Sequence, residues 1–258
     1  MSMTPIKNRK IAWITGGGTG IGRDLAVGLS KNGYLVIVSG RRIQMLSKTS
    51  RLNPKNIIPM RLDVSKPDDC LKISKKIYNK FGFIDLVILN AATYSPGEIT
   101  KIIPKEISPV ININLMGPLN CLSYVLERMK KEKSGQIVFI SSPAGFRGLP
   151  GGGIYGVTKS ALTFLAETLK TELCSFNIKV QVVHPGFIKT PMTDKNKFHM
   201  PFLMTTKEAA KRIICKLSDN DFEISFPKRL IYPMKILAML PNKIYFFLVQ
   251  KFIKPPEC

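Results

Sequence analysis

A chain of 258 residues with 45% hydrophobic and 22% charged residues can bury a sizeable core as one globular unit. Its formal net charge of +22 admits anionic partners, yet the lysines form no block of five, and no zinc-finger spacing or aromatic RNA-reading motif accompanies them. That excludes nucleic acid as the expected partner.

Five cysteines (Cys70, Cys121, Cys174, Cys215 and Cys258) are dispersed without metal-ligand spacing, so the expectation is reduced thiols, no metal site and a cytoplasmic setting. The opening MSMTPIKNRK lacks the apolar core of a signal peptide, and no run supplies the ~20 apolar residues of a spanning helix.

In chain order, short apolar runs recur at 11–14, 34–39, 57–62, 84–89, 137–141 and 180–183, with a weaker one at 222–226. Between them lie amphipathic stretches at 20–32, 42–52, 67–81, 107–131, 154–176 and 206–218. Strands apolar on both faces and alternating with helices predict an α/β fold: a Rossmann-type doubly wound parallel sheet of about seven strands, with helices on both faces. The expected division is one such domain over 1–226 and an apolar, basic extension over 227–258.

The first strand runs into Gly16-Gly17-Gly18-Thr19-Gly20-Ile21-Gly22, a G-x-x-x-G-x-G turn rather than G-x-G-x-x-G. A glycine turn from strand to helix holds phosphate on backbone amides. Gly16 permits the tight turn, Gly20 lets backbone approach a pyrophosphate, and Gly22 lets helix pack on strand.

The second strand ends at Gly40, where an NAD-binding unit carries a carboxylate for the ribose 2′-hydroxyl; here Arg41 and Arg42 follow. Two guanidiniums and no carboxylate favour NADP(H) over NAD(H). Further on, Ser141-Ser142 ends a strand, and Tyr155 and Lys159 stand four apart at the start of a helix, on one face. An ammonium beside a phenol is expected to lower its pKa toward the working range. Alone, a Tyr–x–x–x–Lys spacing arises about once by chance in such a composition.

The motifs in order give more. The chain resembles the short-chain dehydrogenase/reductase family over roughly 8–195: Thr15 to Gly22 as its glycine turn, Asp63-Val64 at the adenine end of the third strand, and Leu89 to Ala92 at its N-N-A-G. Asn114 matches the active-site asparagine, Ser142 precedes Tyr155 by the usual 13 residues, and His184 to Thr190 match the P-G segment.

The resemblance implies Tyr155 as acid in the reductive direction and Ser142 holding the substrate oxygen. It implies that Lys159 lowers the phenol pKa and bonds the nicotinamide ribose, and that Asn114 anchors a water. The cofactor-binding set it implies is Gly16, Gly18, Thr19, Gly20, Ile21, Gly22, Arg41, Arg42, Asp63, Val64, Asn90, Ala91, Tyr155, Lys159, Pro185, Gly186, Ile188 and Thr190. Leu89 and Ala92 depart from N-N-A-G. Strand alternation selects Ser142 over Ser141. His184 reads as a satisfied structural histidine, and His199 as a loop residue.

In the family the segment after Thr190 covers the substrate. Met192, Phe198, Met200, Phe202, Leu203 and Met204 there suit an apolar pocket, and the glycine-rich 147–153 reads as flexible. The expected activity is NADPH-dependent reduction of a lipophilic ketone or aldehyde, or the reverse oxidation, in a homodimer or homotetramer. The alternative is a non-catalytic dinucleotide-binding or membrane-docking protein on the same fold. The extension carries Lys228, Arg229, Lys235, Lys243, Lys251 and Lys254 and no acid between 224 and 256, so it either packs on the domain or touches a membrane from one side.

Overall fold

A computed structural model describes residues 9–95, 99–100, 102–196 and 198–253. Lys254 and Cys258, both singled out above, lie outside the described residues. Seven parallel strands form one sheet: β1 (Ile11–Thr15), β2 (Leu35–Gly40), β3 (Ile57–Arg61), β4 (Leu86–Leu89), β5 (Gly135–Ile140), β6 (Ile178–Pro185) and β7 (Glu223–Phe226). Their order is β3-β2-β1-β4-β5-β6-β7, in register from Ile11 against Leu35 through Pro185 against Phe226. The doubly wound expectation holds, with strand ends shifted by a residue or two.

Alternation along each strand feeds two cores. Ile11 and Trp13 join Ile37, Val87 and Phe139 on one face, under α3 (Pro67–Phe81), α5 (Gly117–Glu132) and α6 (Gly153–Glu172). Ala12 and Ile14 join Val36, Ile88 and Val138 on the other, under α1 (Gly20–Lys31), α2 (Ile43–Ser50) and α7 (Thr206–Lys216). Local chemistry sets the helix ends. Pro67, Asp68 and Asp69 open α3, and Gly82, at φ 85°, ends it. Thr205 and Glu208 form a capping box on α7.

The helix expected over 107–131 is instead three pieces: α4 (Pro104–Ile111), a π-helical turn (Asn112–Met116) and α5. Pro109 lies inside α4 and Pro118 at the start of α5, so each removes a backbone donor beside the turn. The turn carries Asn114, which is fully buried.

The extension is two helices, α8 (Lys228–Met239) and α9 (Asn242–Phe252). Ile231, Tyr245 and Val249 are buried, and Arg147 clamps the pair. Its guanidinium donates to the carbonyls of Ala238 and Leu240 at 3.0 and 2.6 Å and to Asn242 Oδ1 at 2.5 Å, and lies 3.8 Å over the Tyr245 ring. The Tyr245 hydroxyl donates to the Gly148 carbonyl at 2.5 Å. The start of the segment expected to be flexible, 147–148, is therefore fastened by the extension. Among the described residues, no helix is long and apolar enough to cross a membrane.

Close backbone packing places the β5–α6 loop on α6. A Cβ on Gly145 would lie 2.6 Å from the Lys159 carbonyl carbon and the Ser160 nitrogen, and one on Gly156 would lie 2.9 Å from the Ala144 oxygen. Gly145→Ala must push the loop away from the first turns of α6, a backbone shift costing about 1–3 kcal/mol. Thermal denaturation should show a melting temperature lower by roughly 2–10 °C. Turnover should fall more than stability does, because Ser142 and Tyr155 ride on the two parts driven apart; unchanged melting and turnover would contradict this packing.

Candidate active site

The chain crosses from β3 back past β1 to β4, so the order reverses between β1 and β4 and leaves a crevice at their carboxyl ends. Thr15 and Asn90 lock that crevice. Thr15 Oγ1 accepts the backbone N–H groups of Asn90 and Ala91 at 3.0 and 3.1 Å. The Asn90 side-chain amide donates to the Thr15 and Gly16 carbonyls at 2.9 and 3.2 Å. Leu89, which stands for an asparagine of N-N-A-G, is buried in the core, so that departure is absorbed by packing.

The glycine turn has the shape of an anion cradle. Gly16 and Gly20 take φ of 69° and 60°, and a Cβ on Gly22 would lie 2.5 Å from the Gly16 carbonyl oxygen. No side chain caps the α1 N-terminus at Thr19, and its first turn, including Ile21, holds no acid. The P-G segment comes down on this turn: a Cβ on Gly20 would sit 3.4 Å from Thr190 Cγ2. A Cβ on Gly18 would press on Met45 Cβ at 3.1 Å.

Arg41 and Arg42 are exposed at the end of β2, beside Gly40. Arg41 is close enough to act on Asp63. Burial pulls that carboxyl up, but two hydrogen bonds from Ser65 and the charges of Arg41 and Lys66 outweigh it, so it stays below its ordinary value. Val64 is buried and fills the space beside Gly117. These residues fit a dinucleotide: a backbone cradle at a helix N-terminus, a cationic edge without a competing carboxylate at β2, and an acid at β3.

Ser142, Tyr155 and Lys159 come together at the ends of β5 and α6. The Ser142 hydroxyl and the Tyr155 phenol are neighbours at this edge. Ser142 also accepts from the Ala144 N–H at 3.2 Å. Ser141 points the other way, donating to the Lys159 carbonyl at 2.8 Å in a buried setting, as alternation predicts. The Lys159 ammonium donates to the Ile140 carbonyl at 2.8 Å and stands 5.4 Å from the Tyr155 ring centroid.

Burial brings the Lys159 amine down to about 7. Burial also pushes the Tyr155 phenol up to about 12, with Tyr94 adding to the rise and the neighbouring Ser142 hydroxyl opposing it. This corrects the expectation of a lowered phenol: desolvation of the phenolate outweighs the help from its neighbours, and Lys159 faces the ring while its donor serves Ile140.

Asn114 braces the site from below. Its carbonyl accepts the Thr93 N–H at 2.7 Å, and its amide donates to Thr93 O and Thr158 Oγ1 at 2.9 and 3.2 Å. Tyr94, unmarked in the sequence, packs edge-on against Tyr155 with centroids 5.1 Å apart and donates to Asn196 Oδ1 at 3.0 Å. It sits in an irregular segment, and only its distance of four residues from Asn90 hinted at it.

His184 is buried between Thr163 at 3.0 Å and Glu223 at 2.9 Å, the structural role expected of it. Pro185 is buried at the strand end, and a Cβ on Gly186 would strike Leu230 and Pro227. Ile188 and Met204 pair as an isolated bridge and both belong to the core, so Met204 leaves the apolar pocket set expected for it. Phe198, Phe202 and Leu203 remain exposed, while Met192 and Met200 are half-buried. His199 is an exposed loop residue. Among the described residues no group of acids, histidines and cysteines could hold a metal.

A family model described as short chain dehydrogenase matches residues 10–200. An uncharacterized oxidoreductase of Myxococcus xanthus is 34% identical over 239 residues, 92% of this chain and 94% of that protein. The 3-oxoacyl-(acyl-carrier-protein) reductase FabG of Thermotoga maritima is 33% identical over 189 residues, 72% and 77% of the two chains. Among solved structures, ElxO with NADP bound is 31% identical with a TM-score of 0.76, covering 84% of this chain and 97% of that one. A short-chain dehydrogenase from Streptomyces avermitilis shares the fold at a TM-score of 0.82 and 22% identity, over 94% and 96% of the chains. With the motif order and the sheet order in agreement, the chain belongs to the short-chain dehydrogenase family of NAD(P)-dependent oxidoreductases.

Proposed function

We propose that this oxidoreductase reduces the carbonyl of a lipophilic ketone or aldehyde with NADPH, with Tyr155 as proton donor and Ser142 holding the substrate oxygen. The observation that carries the reading is the convergence of Ser142, Tyr155 and Lys159 at the same sheet edge as the glycine cradle. The nicotinamide supplies hydride when bound. A phenol near 12 keeps its proton at neutral pH and yields it only to a strongly basic oxygen, which suits donation to a developing alkoxide. Ser142, held by the Ala144 N–H, stands preorganised for the same oxygen. Lys159, near 7, exchanges a proton in the working range and can restore the phenol.

NADP(H) over NAD(H) rests on Gly40, Arg41 and Arg42, and is supported by the relative solved with NADP. An apolar substrate is supported by exposed Phe198, Phe202 and Leu203 on the segment that Asn196 ties to Tyr94. The 3-oxoacyl reductase named among the relatives acts on a carbonyl of that kind. A homodimer or homotetramer is supported by Val157 and Phe164, 57% and 72% exposed on α6, and by Leu119 on α5.

Tyr155→Phe removes the proton donor alone. Turnover should fall about 10²-fold or more, while NADPH affinity, read by fluorescence titration, stays within about twofold. A variant retaining over a tenth of the rate would remove Tyr155 from the role.

Arg41→Ala should weaken NADPH by about 10-fold or more and NADH little, because a charge-assisted bond to the 2′-phosphate is lost. Equal losses in the two titrations would count against that contact.

Lys159 also makes stability depend on pH. A lysine in the unfolded chain keeps its proton up to its ordinary 10.5, whereas the folded one releases it near 7. Between those values the unfolded chain binds more protons, so the cost of burying the amine is greatest below pH 7 and fades as pH rises. Lys159→Met should therefore gain melting temperature over wild type at pH 7 and gain less at pH 9; parallel curves would show that the amine is not buried as described.

A further inference from the structure

The helices α8 and α9 turn one face to the domain and leave the other bare. Eight of the 21 exposed large apolar side chains among the described residues fall within residues 232–253. On α8, Tyr232, Ile236 and Met239 follow at spacings of four and three, a single stripe that reaches 84% exposure at Met239. On α9, Phe246, Phe247 and Phe252 are more than half exposed. Scattered exposed apolar residues are ordinary, but eight within 22 residues mark a segment that something covers.

Charge selects the occupant. The sequence from 224 to 256 holds six basic residues and no acid. Lys228, Arg229, Lys243 and Lys251 are exposed, whereas Lys235 is taken by Glu223. The Lys251 ammonium lies 5.6 and 5.5 Å from the Phe247 and Phe252 rings, and the Lys228 ammonium lies 5.0 Å from Tyr232. The cations thus border the aromatic face closely enough to meet one boundary with it. A second copy on this face would bring a basic patch against itself in a chain of net charge +22. A surface with apolar depth and anionic headgroups satisfies both features at once. Helices of 12 and 11 residues extend about 18 and 16 Å, enough to lie in an interface and too short to cross it.

We propose that the outer face of α8 and α9 docks this protein on an anionic lipid surface as a peripheral contact. Docking does not depend on the reductase reading. Because the inner face of the same helices holds Arg147 and Gly148, it sets the loop that leads from Ser142 to Tyr155 at the side of the lipid.

The test is co-sedimentation of the full chain with vesicles of phosphatidylcholine, with and without about a third phosphatidylglycerol. Wild-type protein should partition about 10-fold more strongly onto the anionic vesicles and lose most of that at about 0.5 M salt. Phe246→Ser with Phe247→Ser, and separately Lys243→Glu with Lys251→Glu, should each weaken binding about 10-fold, with soluble-substrate turnover and melting temperature little changed. Lys72→Glu with Lys76→Glu, an equal charge change on exposed positions of α3, should leave binding within about twofold.

No binding to anionic vesicles at low salt would overturn the proposal. So would equal losses from the α3 and α9 charge reversals, which would reduce the effect to net charge. A dimer in sedimentation velocity that Phe246→Ser with Phe247→Ser abolishes, without vesicle binding, would overturn it by giving the face to a second copy. If the phenylalanine variant fails to fold, the lysine reversals alone decide the outcome by the same criteria.

Discussion

The interaction on which the site depends is the tie between Thr15 and Asn90. In a parallel sheet the carboxyl ends of neighbouring strands diverge into separate loops, and at the point where strand order reverses nothing in the ladder holds them together. Here one hydroxyl accepts two backbone donors from the β4 end, and one side-chain amide returns two bonds to the β1 end. The four bonds fix the first residue of the glycine turn against the loop that leads to Tyr94. Cradle and chemistry thereby share one frame, and displacement of either strand end would move both.

A second frame runs through the interior. Ser141 donates to the Lys159 carbonyl and meets Thr163, Thr163 meets His184, His184 meets Glu223, and Glu223 pairs with Lys235 of α8. Burial alone would raise the Glu223 carboxyl, but hydrogen bonds from His184 and Lys235 and their charges bring it down to about 2. Each polar group along this line has its partner, so the line costs the fold little and fixes the helix that carries Tyr155 relative to β6, β7 and α8.

What was legible in the sequence was whatever repeats with a local period or sits in a motif. Strands such as Leu35–Gly40 read as continuous apolar runs, and the spacings of Ser142, Tyr155 and Lys159 are set by one strand end and one helix face. What escaped was decided between distant segments. Gly145 matters because of Lys159, Arg147 because of Ala238 to Asn242, and Tyr94 because of Asn196, none of them visible in a local window. In the extension, Pro233 lies inside α8 and Pro241 precedes α9, so the chain there divides into two helices. The phenol was misjudged because spacing gives the neighbour and not the depth of burial.

The clamp at Arg147 also bears on how the protein is made. Its partners at 238, 240 and 242 are 91 to 95 residues further along the chain. During synthesis, the strands up to β6 can assemble while those partners are still untranslated, since growing chains fold as their segments emerge. The loop between Ser142 and Tyr155 is thus fastened by a segment made after every residue of the nucleotide cradle.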